Sequence, residues 1–358
     1  MNQPALNMAL RVFSAIIAAL GVGALLILLS GSNPFAAYRA LFAESFFDYW
    51  GISNTLVKTS PMLLAGLAVI VPYKAGLFNI GAEGQIYLGG LFGAVIALSM
   101  PDLPGWLGIP AILIASMLGG ALWAAIPGYL RAYRGINEVI VTLLMNFIAI
   151  HIVSYAVSGP LLAEGAPYPY SEEVSEQFHL PILMPQTDAH LGVIIGIVAA
   201  LLITFWLRST PSGFQFQLVG RNQAAARYAG VKTKRTMMTA MMLGGALAGL
   251  AGGLEVIGLK YRLFHLFSAG YGYDGIIVAF IAALNPILAP LSAFFLAGLS
   301  AGAGTMQRAV GVEGSVVEAI QGIVVLFAAA SLMATTKGRG ILHRLTTLRI
   351  TTSKEEEK

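Results

Sequence analysis

The chain has 358 residues, of which 57% are hydrophobic and 11% are charged, whereas a soluble domain carries about 25% charged residues. So few charges cannot cover a water-facing surface, which excludes a pair of soluble domains and predicts an all-α integral membrane protein. The formal net charge of +4 is small and would indicate nucleic acid only if it were clustered on a soluble face, so no nucleic-acid partner is expected. The absence of cysteine excludes disulfides and Cys-ligated metal sites.

Apolar runs, broken by proline, glycine and charged residues, predict about ten membrane spans. The first run is longer than the core of a signal peptide and many more follow, so it is expected to be a retained helix. The predicted spans are 12–29, 60–72, 85–99, 110–128, 136–157, 191–207, 237–257, 274–288, 290–304 and 316–333.

Two of these spans, 60–72 and 274–288, are too short to cross a bilayer straight. Short, interrupted segments at matching places in two halves are typical of a transport path built from discontinuous helices. The sequence therefore predicts one transmembrane domain over 1–358, with a first half at about 12–157 and a second half at about 191–333.

Basic residues concentrate on one predicted side of the membrane. They fill the connection around Arg131, the connection 208–236 and the tail 334–358, while the loop 161–190 carries five acidic residues and no Lys or Arg. The positive-inside rule then places both termini in the cytoplasm and the acidic loop outside.

The two halves also share a short pattern in which an acidic residue precedes a glycine and opens an apolar span. Glu83 does so in the first half and Asp274 in the second. On the predicted topology they lie on opposite sides of the membrane, as an inverted internal repeat requires. A chance alignment of two Gly-rich stretches explains the match equally well.

The connection 208–236 has six basic residues, no acidic residue and a helix signal of its own. Asn222 can cap a helix, the Ala-rich stretch after it favours helix, and Gly230 suits the stop. Such a helix could lie on the membrane or press into a groove of a soluble partner, and a simple positive-inside connector is the alternative.

The stretch from Gly220 to Val231 resembles the Ala-Ala/Gly coupling loop by which permease subunits of bacterial ABC importers dock onto their ATPases. The resemblance assigns an ATPase-coupling role to nine residues: Gly220, Arg221, Asn222, Ala224, Ala225, Ala226, Ala229, Gly230 and Val231.

Two further stretches, Ala75–Gln85 and Gly135–Asn146, resemble signatures of the superfamily of nucleoside, simple-sugar and branched-chain amino-acid permeases. The resemblance continues through 272–276 and 318–327 and covers about 33–332. The run from Asn79 to Gly84 is similar to the branch that takes up nucleosides through a lipoprotein binding protein. A simple-sugar or autoinducer permease is the alternative within the family, and an ion-coupled secondary transporter is the alternative outside it.

Because the sequence contains no Gly-x-x-x-x-Gly-Lys-Ser/Thr phosphate loop, the chain is expected to hydrolyse no ATP. The resemblance implies that ATP and Mg are bound by a separate cytoplasmic ATPase, with no cofactor or metal in this chain. It also implies a second permease subunit, either a paralogue or a second copy, an extracytoplasmic solute-binding lipoprotein, and a location in the bacterial inner membrane.

Polar residues inside spans are expensive in lipid and by default face a water-filled path. A neutral nucleoside suits amide side chains and aromatic rings better than fixed charges. For Glu83 and Asp274, helix capping and a substrate or gate role are weighed equally, and a cap is the alternative for Glu138. The candidate path residues are Phe78, Asn79, Glu83, Gln85, Glu138, Thr142, Asn146, Tyr273, Asp274 and Gln321.

Overall fold

A computed structural model describes residues 3–312 and, beyond them, 315, 316, 318–320, 322, 323, 326 and 327. Twelve α-helices are bounded in this part of the chain: α1 Gln3–Leu29, α2 Pro34–Phe47, α3 Tyr49–Lys74, α4 Ala82–Ser99, α5 Gly105–Arg134, α6 Glu138–Ser158, α7 Gly192–Ser209, α8 Pro211–Arg221, α9 Gln223–Tyr228, α10 Thr233–Glu255, α11 Tyr271–Ile281 and α12 Ala289–Val310. A 3₁₀ turn, Glu176–Phe178, precedes α7, and a π turn, Val256–Lys260, continues α10.

Seven helices in the described part are long and apolar enough to cross a membrane: α3, α4, α5, α6, α7, α10 with its π turn, and α12. Two shorter apolar helical stretches, Ile16–Leu29 and Tyr271–Ile281, add to them. The all-helical membrane fold is thus confirmed. Most of the predicted span 316–333, the residue Gln321 and the tail 334–358 lie outside the described residues.

The prediction that the second span is short was wrong. Helix α3 runs through Pro61 and Pro72 and has 26 residues. It begins earlier than predicted, at Tyr49, where Asp48 caps it by accepting hydrogen bonds from the backbone N–H groups of Trp50 and Gly51. The short, interrupted element is α11, with 11 residues. It ends where Ala283 and Leu284 adopt positive φ angles of 51° and 57°.

The chain divides into two compact units, one comprising residues 40–305 and the other the remaining residues at both ends. In the end unit, the Tyr38 hydroxyl donates to the Leu20 carbonyl at 2.7 Å. The 40–305 unit contains all the candidate path residues except Gln321.

Helix α10 packs in the middle of the 40–305 unit, against α3, α4 and α5. Small residues permit this approach: a Cβ on Gly249 would collide with the Ser116 carbonyl, and one on Gly252 with the Ile86 carbonyl. Without a hydrophobic driving force between helices in lipid, such close backbone packing is a main source of helix association.

The acidic loop 161–190 is an ordered cap laid along residues 257–265. Backbone hydrogen bonds join Ser171 to Leu263 at 2.8 Å and Leu180 to Ile257 at 3.0 Å. Glu173 and Arg262 form an ion pair at 2.8 Å. The loop therefore covers the ends of α6, α7 and α10 on one face of the unit.

Candidate functional site

The connecting segment between α3 and α4, residues 75–81, carries Asn79, whose side-chain amide is fully hydrogen-bonded within the protein. The Asn79 amide nitrogen donates to Gln85 Oε1 at 2.9 Å and to the Ala68 carbonyl at 3.1 Å. Its amide oxygen accepts from Gln85 Nε2 and from the Gly81 N–H, both at 3.0 Å. Asn79 is fully buried, and all four of its hydrogen-bonding positions are used within the protein.

Pro72 explains why an amide is placed beside α3. Proline lacks an N–H, so the Ala68 carbonyl four residues earlier has no helical donor. The Asn79 amide supplies that hydrogen bond. The segment after the helix thus repairs the gap that Pro72 leaves, and the Asn79–Gln85 pair fixes the segment to the start of α4.

Asn146 clamps the same segment from α6. Its amide oxygen accepts from the Gly84 N–H at 2.9 Å, and its amide nitrogen donates to the Ile80 carbonyl at 2.9 Å. A longer contact of 3.4 Å joins the amide nitrogen to the Tyr273 hydroxyl. Thr142, one turn earlier, is buried and bonds back to the Glu138 carbonyl at 2.7 Å. Glu138, Thr142 and Asn146, spaced four residues apart, therefore form a polar stripe on one face of α6, the face that packs against α4.

Glu138 lies at the entrance to this stripe. Its carboxylate accepts from the Phe78 N–H at 3.2 Å and pairs with Arg131 Nε at 3.1 Å. Asn137 caps α6 by accepting from the Val139 N–H at 2.9 Å. The capping alternative is thus observed for Asn137, while Glu138 ties α5 and α6 to the connecting segment.

Glu83 links the start of α4 to the start of α11. Its carboxylate accepts from the Gly272 N–H in the first turn of α11 at 2.7 Å. Since this contact places the starts of α4 and α11 side by side, Glu83 and Asp274 lie at the same depth, and the expectation that they sit on opposite sides was wrong. Two helix starts that meet inside the bundle still resemble the discontinuous helices of transporters.

Sequence reasoning missed Lys58, which completes this region together with Tyr271, an aromatic residue that the sequence places beside the second short span. Lys58 lies within electrostatic range of Asp274 and donates to Ser300 Oγ at 2.9 Å. Tyr271 is buried among Glu83, Glu255 and Asp274. A lone lysine in an apolar helix was the available signal, but the span was started at residue 60 and left Lys58 outside it.

Glu255 closes α10 as a buried carboxylate. Among the described residues neither of its oxygens has a hydrogen-bond partner. Lys260, five residues further along the chain, does not contact it directly and instead places its ammonium over the Phe264 ring, 5.5 Å from the ring centre.

The basic connection forms two helices, α8 and α9, where the sequence predicted one. Asn222 caps α9 by accepting from the Ala225 N–H at 3.0 Å, and Gly230 stops it with φ of 81°. Ala224 and Ala225 are exposed, as is Tyr228 at 96%. Ala226 is fully buried in a small apolar cluster with Ala75, Leu77, Phe216 and Met241.

His190 lies under the acidic loop, just before α7, and is buried. Its Nδ1 accepts from the Gly192 N–H at 3.1 Å. Burial lowers the pKa of the imidazole to about 4, and the nearby carboxylate of Asp188 opposes this only in part. His190 is therefore neutral at physiological pH.

Comparison with known proteins gives a consistent picture. A family model described as "Branched-chain amino acid transport system / permease component" matches residues 51–329. The chain is 36% identical over 321 residues to the guanosine ABC transporter permease protein NupP of Bacillus subtilis, covering 88% of this chain and 92% of that protein.

It is 35% identical over 322 residues to the glucose ABC transporter permease protein TsgB13 of Haloferax volcanii, covering 87% of this chain and 84% of that protein. It is also 31% identical over 323 residues to the nucleoside ABC transporter permease protein NupB of Lactococcus lactis, covering 87% and 88%.

Proposed function

The chain belongs to the permease component family of branched-chain amino acid transport systems, and on that premise we propose that it moves a nucleoside through an ABC importer. It is a multi-pass protein of the bacterial inner membrane and a transport subunit rather than an enzyme. As an ABC importer permease it works with an ATPase partner.

The observation that carries the nucleoside proposal is the likeness over most of the chain to permeases named for guanosine and nucleosides. The geometry beside Asn146 agrees with it. The Tyr273 side chain is 37% exposed and its bond to Asn146 is long, so its hydroxyl is the group of the network most available to a solute. Phe78 and Phe280, with ring centres 6.1 Å apart, add aromatic faces suited to a base.

Glucose is the second candidate, favoured by the likeness to a glucose permease at 35% identity. A sugar would need the polar edge of this region but not its aromatic faces. Either solute could use the Tyr273 hydroxyl, so the two differ in their dependence on the aromatic rings, that of Tyr273 included.

We propose further that α9 and its flanks dock onto the ATPase. Its outer face is exposed, and Gln223, Ala224, Arg227 and Tyr228 line a depression of about 530 Å³. Its inner face shares the apolar cluster with Ala75 and Leu77, which begin the connecting segment. A push on α9 would therefore reach Asn79 and the starts of α4 and α11 through packed side chains.

ATP and Mg would be bound by that ATPase. A second permease subunit, either a paralogue or a second copy, and an extracytoplasmic lipoprotein would complete the importer. These partners follow from the family resemblance of the motifs.

Radiolabelled guanosine uptake in cells that carry the whole transporter tests the solute. Excess nucleosides should compete, whereas glucose and leucine should not. We expect Tyr273→Leu to lower uptake at least tenfold, and the matched Tyr273→Phe, which keeps the ring, to retain a larger fraction. Suppression by glucose but by no nucleoside would reverse the choice of solute and leave the importer class intact.

The docking proposal is tested at Ala225, because it is exposed whereas Ala226 is buried. Ala225→Glu should abolish transport and co-purification of the ATPase while the permease still inserts, and Ala225→Ser is the matched control. Normal ATPase capture and uptake by Ala225→Glu would refute the assignment of α9 as the dock.

A further inference from the structure

Three cations converge where α3, α7 and α8 end. Lys74 is the last residue of α3, Arg208 lies in the last turn of α7, and Arg221 ends α8. The Lys74 ammonium lies close enough to both arginine side chains to be repelled by their charges. The backbones of α3 and α8 also meet there, since a Cβ on Gly220 would collide with the Lys74 carbonyl. Within the described residues, none of these three cations forms an ion pair with a carboxylate.

Helix C-termini favour basic residues, because unpaired carbonyls give them partial negative charge. That effect accounts for one cation at each helix end. It does not account for the placement of Lys74 opposite two arginines, where the like charges repel one another. An anion bound between these three side chains would therefore relieve their mutual repulsion.

An apolar groove of about 460 Å³ opens directly beside the cluster. Its walls include Val71, Leu202, Trp206, Phe216, Leu243 and Leu247. Val71 lies one turn before Lys74, Trp206 two residues before Arg208, and Phe216 on the helix that ends in Arg221. The groove and the cations thus share α3, α7 and α8.

Trp206 indicates the depth of the groove in the membrane. Its ring nitrogen donates to Ser212 Oγ at 2.8 Å. Tryptophan is enriched at the boundary between the hydrocarbon core and the headgroups. Apart from Phe216 of α8, the named apolar walls belong to the membrane-spanning stretches of α3, α7 and α10, and the cations lie at the ends of α3, α7 and α8.

We propose that this is a binding site for an anionic phospholipid, with an acyl chain in the groove and its phosphate among Lys74, Arg208 and Arg221. Basic pockets between membrane helices on the cytoplasmic side suit anionic headgroups. A zwitterionic lipid fits less well, because its ammonium group would meet three further cations. The bound lipid would tie the start of the basic connection to α3.

The proposal concerns a ligand other than the transported solute and does not depend on which solute that is. It uses Arg221, which the motif also places in the ATPase dock, so the variants are chosen outside α9. Arg208→Gln removes an exposed cation, and Leu243→Trp fills the groove without changing charge. Lys234→Gln is the matched control, because Lys234 belongs to the same basic connection but lies over the Tyr133 ring.

The full chain is purified, placed in nanodiscs of mixed phosphatidylglycerol and phosphatidylcholine, and the retained lipid is counted by native mass spectrometry. We expect the wild-type protein and Lys234→Gln to retain phosphatidylglycerol selectively. Arg208→Gln should lower its affinity about fivefold, as expected for loss of one cation near a membrane surface, and Leu243→Trp should abolish the selectivity.

Three results would overturn the proposal. The first is phosphatidylglycerol retention in Arg208→Gln and Leu243→Trp equal to that of the wild type. The second is full displacement by inorganic phosphate, which would make the cluster a site for a free anion. The third is loss of lipid from the groove when the second permease subunit is co-purified, which would make the groove a protein interface.

Discussion

Replacing Asn79 by leucine should act mainly by destabilising the folded protein and not by removing a contact with the solute. The side chain makes four hydrogen bonds at 2.9–3.1 Å in a fully buried place. Hydrogen bonds inside membrane proteins contribute about 0.6–1 kcal/mol each. The variant should therefore lose about 2–4 kcal/mol of unfolding free energy, and uptake should fall because the connecting segment loses its anchor.

The measurement is reversible unfolding in mixed detergent–SDS micelles, followed by far-UV circular dichroism and paired with radiolabelled uptake. Asn137→Ala is the control, because it removes an exposed helix cap and should cost only about 1 kcal/mol. The double variant Asn79→Leu/Gln85→Leu should lose less than the sum of the two single variants, since replacing both partners leaves no orphaned amide.

If Asn79→Leu unfolds like the wild type and still takes up no solute, the amide acts on the solute and not on the fold. The structural role assigned to the Asn79–Gln85 pair would then be refuted.

Three further predictions concern stability, packing and orientation. The pKa of His190 in the folded protein, about 4, lies below the unfolded value of about 6.5. The contribution of His190 to the unfolding free energy should therefore be complete above about pH 6.5 and fall by about 2–3 kcal/mol as the pH drops towards 4. In pH-dependent unfolding, His190→Asn should remove this loss of stability at acid pH. Gly249→Ala should cost more than 1 kcal/mol by forcing α10 from α5, whereas Gly21→Ala, which meets no atom within 4 Å, should not; equal melting temperatures would contradict the packing argument. In intact cells an impermeant thiol reagent should label Glu172→Cys but not Ala224→Cys, and the reverse pattern would invert the predicted orientation.

The sequence by itself determined the class of molecule and its family. Too few charges for a soluble surface, repeated apolar runs and the absence of cysteine required a helical membrane protein, because lipid admits helices whose backbone groups are paired internally. Three motifs then indicated the permease family, which the comparisons confirmed. The cap at Asn222 and the stop at Gly230 were also predictable, since both depend on neighbours within a few residues.

Contacts between distant residues were decided only by the tertiary structure. Proline predicts the end of the second span, but the Asn79 amide donates to the Ala68 carbonyl the hydrogen bond that Pro72, which has no N–H, cannot donate, and α3 runs on to Lys74. The meeting of Glu83 with Gly272 joins residues 189 positions apart. Hydropathy could not show it, because periodicity gives the depth of a helix but not its neighbours.

The same limit explains the polar residues of the candidate path. The sequence shows their type and their spacing on α6, yet it could not tell whether an amide faces water or another amide. Packing against the connecting segment decided that Asn79 is saturated inside the protein while Tyr273 stays partly exposed. Burial and hydrogen-bond pairing depend on which helices pack together. That depends on close contacts at small residues such as Gly249, which form only when the helices of the bundle are packed.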